Sequence, residues 1–201
     1  FDKLVEELRA RKPDSTVLLE LTSDVSAAAA KIVHKTPMLS LDKCYDDETL
    51  ENWANKFSGG IVATPKIDGC AVSLRYDANG KLSLAATRGN GLEGEDVSAN
   101  VRFIKDIPTK ISLQNVEVRG EIYMALSVFN KFKNDFANPR NLTAGAIKLK
   151  DPQGTGDYQL AFFAYDLLGS AEKDEAAKQA LLHQEKFPTV ETIMVDRKNL
   201  P

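Results

Sequence analysis

A change of period near residue 61 constrains this fold more than any other feature of its 201 residues. Beyond it, Val72, Leu74 and Tyr76 face one way while Ala71, Ser73 and Arg75 face the other. That is the two-residue repeat of a strand with one buried face. Asp77-Ala78-Asn79-Gly80 is a turn signal, and Leu82, Leu84 and Ala86 resume the alternation, so the segment reads as an antiparallel hairpin. Further strands are expected at Ile61 to Ala63, Val116 to Tyr123, Leu160 to Leu168 and Val190 to Val195. Ser127 can cap a helix running to Phe136 with Phe129, Phe132 and Phe136 on one side, and Ala171 to Phe187 reads as an amphipathic helix. Before residue 61 the spacing is helical. Phe1, Leu4, Val5 and Leu8 share a face that Pro13 ends, and the alanine run predicts a helix from Ser23 to Val33. Asp46 or Asp47 can cap a third helix, which turns Leu50 and Trp53 inward and stops at Gly59-Gly60. No regular strand–helix–strand alternation appears. The class is therefore α+β, with mainly antiparallel sheets and flanking helices.

Composition narrows the function classes. With 43% hydrophobic and 27% charged residues the chain is neither disordered nor fibrous, and no run of eighteen apolar residues could span a membrane. Cys44 and Cys70 are too few for a disulfide framework or a zinc site, and His34 and His183 add no ligand pattern, so a reducing cytosol is the expected setting. A net charge of −3 and a pI near 5.5 exclude a broadly basic nucleic-acid binder and leave a local basic surface open. A start at Phe1 without a signal peptide suggests an excised piece.

Several segments could carry chemistry, each beside a plainer reading. Lys66-Ile67-Asp68-Gly69 follows a short apolar strand, and a lysine there can be a nucleophile if burial and nearby cations remove its proton. At an ordinary pKa of about 10.4 only roughly one lysine in 2,500 is neutral at pH 7. The plainer reading is a surface turn. Thr87 to Asp96 contains Gly89-x-Gly91-x-x-Gly94, formally a dinucleotide fingerprint. The preceding strand belongs to a hairpin, however, and Glu93, Glu95 and Asp96 would crowd negative charge where a pyrophosphate should lie. A polar loop in which Arg88 presents its guanidinium to an anionic ligand fits better, beside a merely solvated loop. Glu117, Arg119 and Glu121 share one strand face, opposite Val118 and Ile122. A solvated face is the default there, a polar cleft the alternative. Asn138, Arg140 and Asn141 surround Pro139 ahead of an Ala/Gly-rich helical turn, which can hold Arg140 rigidly for phosphate, with Lys148 two helical turns on; the plainer reading is an Asn-rich turn. Tyr165 is core by default and a stacking plate under a base otherwise.

Taken together, Pro37-Met38-Leu39-Ser40-Leu41-Asp42, Lys66-Ile67-Asp68-Gly69, Thr87-Arg88-Gly89-Asn90-Gly91 with Gly94-Glu95-Asp96-Val97, Glu117-Val118-Arg119-Gly120-Glu121 and Phe136-Ala137-Asn138-Pro139-Arg140-Asn141 occur in the order found in bacterial NAD-dependent DNA ligases. The chain resembles that family over essentially its whole length. The resemblance implies the adenylation (nucleotidyltransferase) fold of the covalent ligase superfamily in residues 36–201, truncated before a D-G-V-V-x-K motif. Residues 1–35 would then be a linker and a remnant of the helical domain that receives the nicotinamide mononucleotide (NMN) half of NAD. It assigns Lys66 as the nucleophile on the α-phosphorus of NAD and Asp68 as an essential carboxylate of the same motif. Ser40, Leu41 and Arg88 would contact the nucleotide, with Glu121 near the ribose and Tyr165 against adenine. Arg140 and Arg197 are functional arginines on this reading, and Asp2 is the last match to the helical domain.

Two positions depart from the pattern. Thr64 stands where the family has a glutamate that reads the adenine amino group, and a hydroxyl accepts that hydrogen bond more weakly. Lys148 stands where an arginine is expected, which keeps the charge and loses the bidentate fork. The implied substrate is NAD, with Mg²⁺ as metal and Glu121 as a candidate ligand, while Zn²⁺ would belong only to a finger absent from these residues. The implied partner is nicked double-stranded DNA, handled by a cytoplasmic monomer in replication and repair. These 201 residues alone should ligate little. The alternatives are an ATP-dependent ligase or capping-type nucleotidyltransferase, which also uses K-x-D-G, and a non-catalytic module that has kept the fold.

Overall fold

The computed structural model describes residues 7–8, 10–12 and 30–196. Four strands form the central sheet: β3 (Cys70–Tyr76), β4 (Leu82–Thr87), β6 (Glu117–Tyr123) and β7 (Ala161–Leu168), in the order β4-β3-β6-β7 with every pair antiparallel. The expected hairpin is there: Asp77 Oδ1 accepts the N–H groups of Asn79 and Lys81, closing the turn between β3 and β4. Two short pairs flank the sheet. β1 (Lys31–Val33) pairs with β5 (Glu93–Glu95), and β2 (Ile61–Ala63) pairs with β8 (Ile193–Val195).

The hydrophobic core lies on one face. Val72, Leu74 and Tyr76 of β3 meet Val118 and Ile122 of β6 and Phe162, Ala164 and Leu167 of β7, all 2% exposed or less. They are covered by a 3₁₀ turn (Asn100–Phe103), by α3 (Pro139–Ala146) through Leu142 and Ala146, and by α4 (Glu175–Gln184) through Leu182. The opposite face is polar and carries the site. Two further α-helices, α1 (Asp47–Ala54) and the single turn α2 (Leu126–Phe129), and a second 3₁₀ helix (Pro152–Tyr158) complete the described elements.

Several boundaries differ from expectation. Lys31–Val33, expected as the end of the alanine-run helix, is instead a strand, because it finds a partner in Glu93–Glu95. Asp46 caps α1 through a 2.7 Å bond from Thr49 N–H, but the helix stops at Ala54, its one buried residue, while Trp53 turns outward against Phe57. The helix expected from Ser127 to Phe136 shrinks to α2 after Ala125, with turns following. The last helix is the middle of its predicted span, capped by Asp174. The dinucleotide-fingerprint reading fails, because Gly94 lies inside β5 and only a four-residue 3₁₀ turn, not an α-helix, follows the loop. The expected helical face of Phe1, Leu4 and Val5 and the alanine run at 23–29 lie outside the described residues, as do Asp2 and Arg197.

Candidate active site

The site begins at the turn that feeds β3. Gly69 is required there, since a Cβ would sit inside the van der Waals shell of the Ile122 carbonyl oxygen. This close approach lets the Gly69 N–H donate to the Glu121 carboxylate, so the lysine motif and the β6 glutamate are joined through backbone. Lys66 projects into a cavity of about 700 Å³ on the polar face, within the range of small-molecule sites. Its side chain is exposed. The burial that sequence reasoning asks of a lysine nucleophile is therefore not supplied by these residues alone.

Around Lys66 stand groups brought from distant segments. Asp68 does not line the cavity; it accepts a 2.8 Å bond from Arg140 Nη1, which does. Both side chains are at least half exposed, so the pair orients Arg140 more than it stabilises the fold. Arg140 sits in the first turn of α3, whose N-cap Asn138 accepts the Asn141 N–H at 2.8 Å, with Pro139 pre-set at the following position. Arg88 is held by its own backbone, which donates to Ala71 O at 2.8 Å, and Gly89 and Gly91 take positive φ values of 55° and 92° to turn the loop back. Lys148 Nζ lies 2.5 Å from Glu95 Oε2, a carboxylate almost wholly buried in β5. A lysine suffices for that pair where the sequence pattern asks for an arginine.

The charged face of β6 corrects the solvated default. Glu117 and Arg119 are buried at 8% and 7% exposure, and Glu121 is mostly buried. Burial raises the Glu121 carboxyl to about 7, against the opposing pull of Lys66, Arg140 and Arg88 and the Gly69 N–H bond. Tyr165, also expected as core, stands on the cavity wall beside Phe163, its hydroxyl pushed up chiefly by burial and then by Glu121. Leu41, Thr64, Lys66, Arg88, Glu121, Arg140, Lys148 and Tyr165 thus line one cavity. Ser40 does not line it, although Leu39 and Leu41 on either side do. Sequence reasoning raised Arg119 only within the polar-cleft alternative for β6 and gave no role to Glu95 or Phe163. The period of two across Glu93-Gly94-Glu95 was a usable signal for Glu95, hidden by the loop-like composition around it.

A lysine-headed cleft walled by arginines, on one face of an antiparallel sheet whose other face is core, is an adenylation-domain arrangement. The family model described as the NAD-dependent DNA ligase adenylation domain matches residues 26–198, and the chain belongs to that family. It is similar to the DNA ligase of Nitrobacter hamburgensis, 42% identical over 187 residues covering 80% of this chain and 26% of the relative. The DNA ligase of Afipia carboxidovorans is 46% identical over 162 residues, 70% of this chain and 23% of the relative. That of Leptospira biflexa is 37% identical across 100% of this chain and 33% of the relative. The chain spans about a quarter to a third of the length of these curated relatives. No helix among the described residues is long and apolar enough to cross a membrane.

Proposed function

We propose that Lys66 is the nucleophile of a self-adenylating step in an NAD-dependent DNA ligase. Neutral Lys66 Nζ attacks the α-phosphorus of NAD, a P–N bond forms as the P–O bond to NMN breaks, and the Nζ proton leaves to solvent. The lysyl-AMP then gives its adenylyl group to the 5′-phosphate of nicked duplex DNA, and closure of the phosphodiester releases AMP in the full-length enzyme. The observation that carries this reading is the convergence of Lys66, Arg88 and Arg140 around Glu121. In-line phosphoryl transfer needs positioning and neutralisation of developing charge more than acid–base chemistry, and those cations provide both.

On this reading Tyr165 stacks on adenine, Glu121 meets the ribose, and Thr64, Ser40 and Leu41 contact the nucleotide. Lys148, Asp2 and Arg197 complete the binding set, with Asp68 holding Arg140. Residues 1–35 are the linker and the remnant of the NMN-receiving helical domain, and 36–201 the adenylation domain. The full-length protein acts as a cytoplasmic monomer in replication and repair. As to Mg²⁺, no three His, Cys, Asp or Glu side chains converge among the described residues, and Glu121 is crowded by cations. These donors do not build a metal cage; a Mg²⁺ ion would be held chiefly by substrate phosphates and water, where it would add to the charge neutralisation that Lys66, Arg88 and Arg140 supply.

The test is an intact-mass spectrum of the full-length polypeptide carrying this chain, incubated with NAD and a divalent cation. One adenylyl unit mapped to Lys66 is expected. Adenylation from ATP and not NAD would favour the ATP-dependent reading, and none from either donor would favour a non-catalytic module, the reading that Thr64 in place of the adenine-reading glutamate most supports.

A further inference from the structure

One rim of the nucleotide cavity is not part of the sheet. Residues 31–41 cross the polar face as a strap, fastened by backbone pairing and by side chains on both sides of the contact. Lys31–Val33 pair with β5, the His34 N–H donates to Leu92 O at 2.9 Å, and the Met38 N–H donates to Gly91 O at 2.8 Å. His34 Nε2 reaches the Thr87 and Arg88 carbonyls at 3.1 and 3.2 Å. Between these points two arginines rise from the sheet to grip carbonyl oxygens. Arg75 Nη2 donates to Val33 O at 2.8 Å, and Arg119 donates through Nη1 to Pro37 O at 3.1 Å and through Nη2 to Thr36 O. Beyond Met38 come Leu39 and Leu41, 77% and 75% exposed, which form the cavity rim.

A single carboxylate aims both arginines. Glu117 Oε1 accepts from Arg119 Nε at 2.8 Å, and its Oε2 lies 3.6 Å from Arg75 Nε. Glu117 hydrogen-bonds Arg119 at Nε and faces Arg75 Nε as an ion pair without a hydrogen bond, and in both arginines the outer N–H groups meet strap carbonyls. Glu117 does not itself line the nucleotide cavity, although its partner Arg119 does; with Arg75, Lys35 and Thr36 it lines a second cavity of about 420 Å³.

We infer that Glu117 is a positioning residue: by orienting Arg75 and Arg119 it sets the height of the strap, and so of the Leu39–Leu41 rim, above the nucleotide. The inference rests on the reading of the larger cavity as the NAD site. The arginine grip on carbonyls adds the charge cluster beneath the strap to the ties its own Lys31, His34 and Met38 side chains make.

The test variant is Glu117→Gln, which changes no residue lining the nucleotide cavity and acts on it only by loosening Arg119 and the strap. In the full-length polypeptide it should raise the NAD concentration for half-maximal adenylation about tenfold, with the maximal rate changed less than about threefold, the signature of lost binding rather than lost chemistry. Arg75→Gln, which frees only Val33 O, should raise it about threefold. A merely structural lesion would lower the active fraction and leave the half-saturating concentration alone. A second readout needs no nucleotide: in the 201-residue chain, hydrogen exchange at the His34 and Met38 amides should quicken at least about tenfold in Glu117→Gln while Leu74 stays protected. Unchanged exchange at the strap overturns the inference, as does a loosened strap with unaltered NAD dependence. Should Glu117→Gln fail to fold, Arg75→Gln carries the same two readouts. If the unaltered polypeptide takes no adenylate from NAD, the reading of the cavity is at fault, and the exchange result alone then decides the clamp.

Discussion

The two faces of the central sheet are made by alternate residues of the same strands and solve opposite problems. On β3 and β6, Val72, Leu74, Val118 and Ile122 bury hydrocarbon with no residual exposure. Their neighbours Ser73, Arg75, Glu117, Arg119 and Glu121 are also largely removed from solvent, yet four of these five are ionisable. An apolar face needs only shape to be stable. A buried charged face needs a partner for each charge, and here the partners come from across the chain: the strap carbonyls for Arg119 and Arg75, Gly69 and the cavity cations for Glu121. Stability therefore rests on one face and chemistry on the other, separated by the thickness of a strand.

Substitutions that strike one face at a time would break that division, and the largest contrast belongs to Lys66. Lys66→Ala removes an exposed side chain with no part in the core, so urea denaturation should move by no more than about 0.5 kcal/mol. The adenylyl mass gain should vanish, a loss of at least about a thousandfold, because no other group stands in for the nucleophile. Leu74→Ala should do the reverse. Truncating a fully buried leucine costs about 2–5 kcal/mol, visible as a lower denaturation midpoint, while NAD dependence in the folded fraction stays within about twofold. A large stability loss in the first variant, or a shifted NAD dependence in the second, would show the two faces to be coupled.

Where the sequence was legible, the information was local. The alternation of Val72-x-Leu74-x-Tyr76, the Asp77–Gly80 turn and the Asn138 cap with Pro139 all act within a few residues, and all appear in place. What escaped reading depends on partners far along the chain. Lys31–Val33 is a strand because Glu93–Glu95 reaches it. The β6 charges are buried because Arg119 meets carbonyls 82 and 83 residues away. Period two says which residues share a face; whether water covers that face is decided by a segment the strand's own residues cannot announce. The site was legible as a set of motifs, and the resemblance found most of its wall, but Glu95 was invisible as a buried group inside an acidic, glycine-rich run.

Glu95 sharpens the comparison further, because it is a charge buried on the functional side. Lys148→Met leaves the carboxylate without its cation 2.5 Å away and should cost about 1–3 kcal/mol. Glu95→Gln, which leaves only a partly exposed lysine to turn toward solvent, should cost less, and adding it to Lys148→Met should restore part of the loss. A double-mutant cycle with purely additive costs would mean that the pair contributes nothing as a pair.

In pH two groups act in opposite directions, so their effects on stability partly offset each other. Glu121 titrates near 7 in the folded chain against about 4.5 in its absence. Between those values the folded state holds a proton that the unfolded state has released, so stability falls as pH rises through this window and levels off above 7. His34 is the opposite case. Burial lowers its pKa, against the pull of the carbonyls it touches and of Glu117, with Arg75 adding to the lowering. Its Nδ1 is buried without a hydrogen-bond partner, so a proton there has nowhere favourable to donate. Below about 6.5 the unfolded imidazole takes up a proton more readily than the folded one, so this group makes stability rise with pH toward that value and adds nothing beyond it. Urea midpoints at pH 5, 6, 7 and 8 separate the two: Glu121→Gln should abolish the decline between 5 and 7 and leave the rise from His34 exposed. If the decline survives that substitution, the carboxyl that titrates near neutrality lies elsewhere, and Glu121 is ionised beside Lys66 throughout the range in which an adenylating enzyme would work.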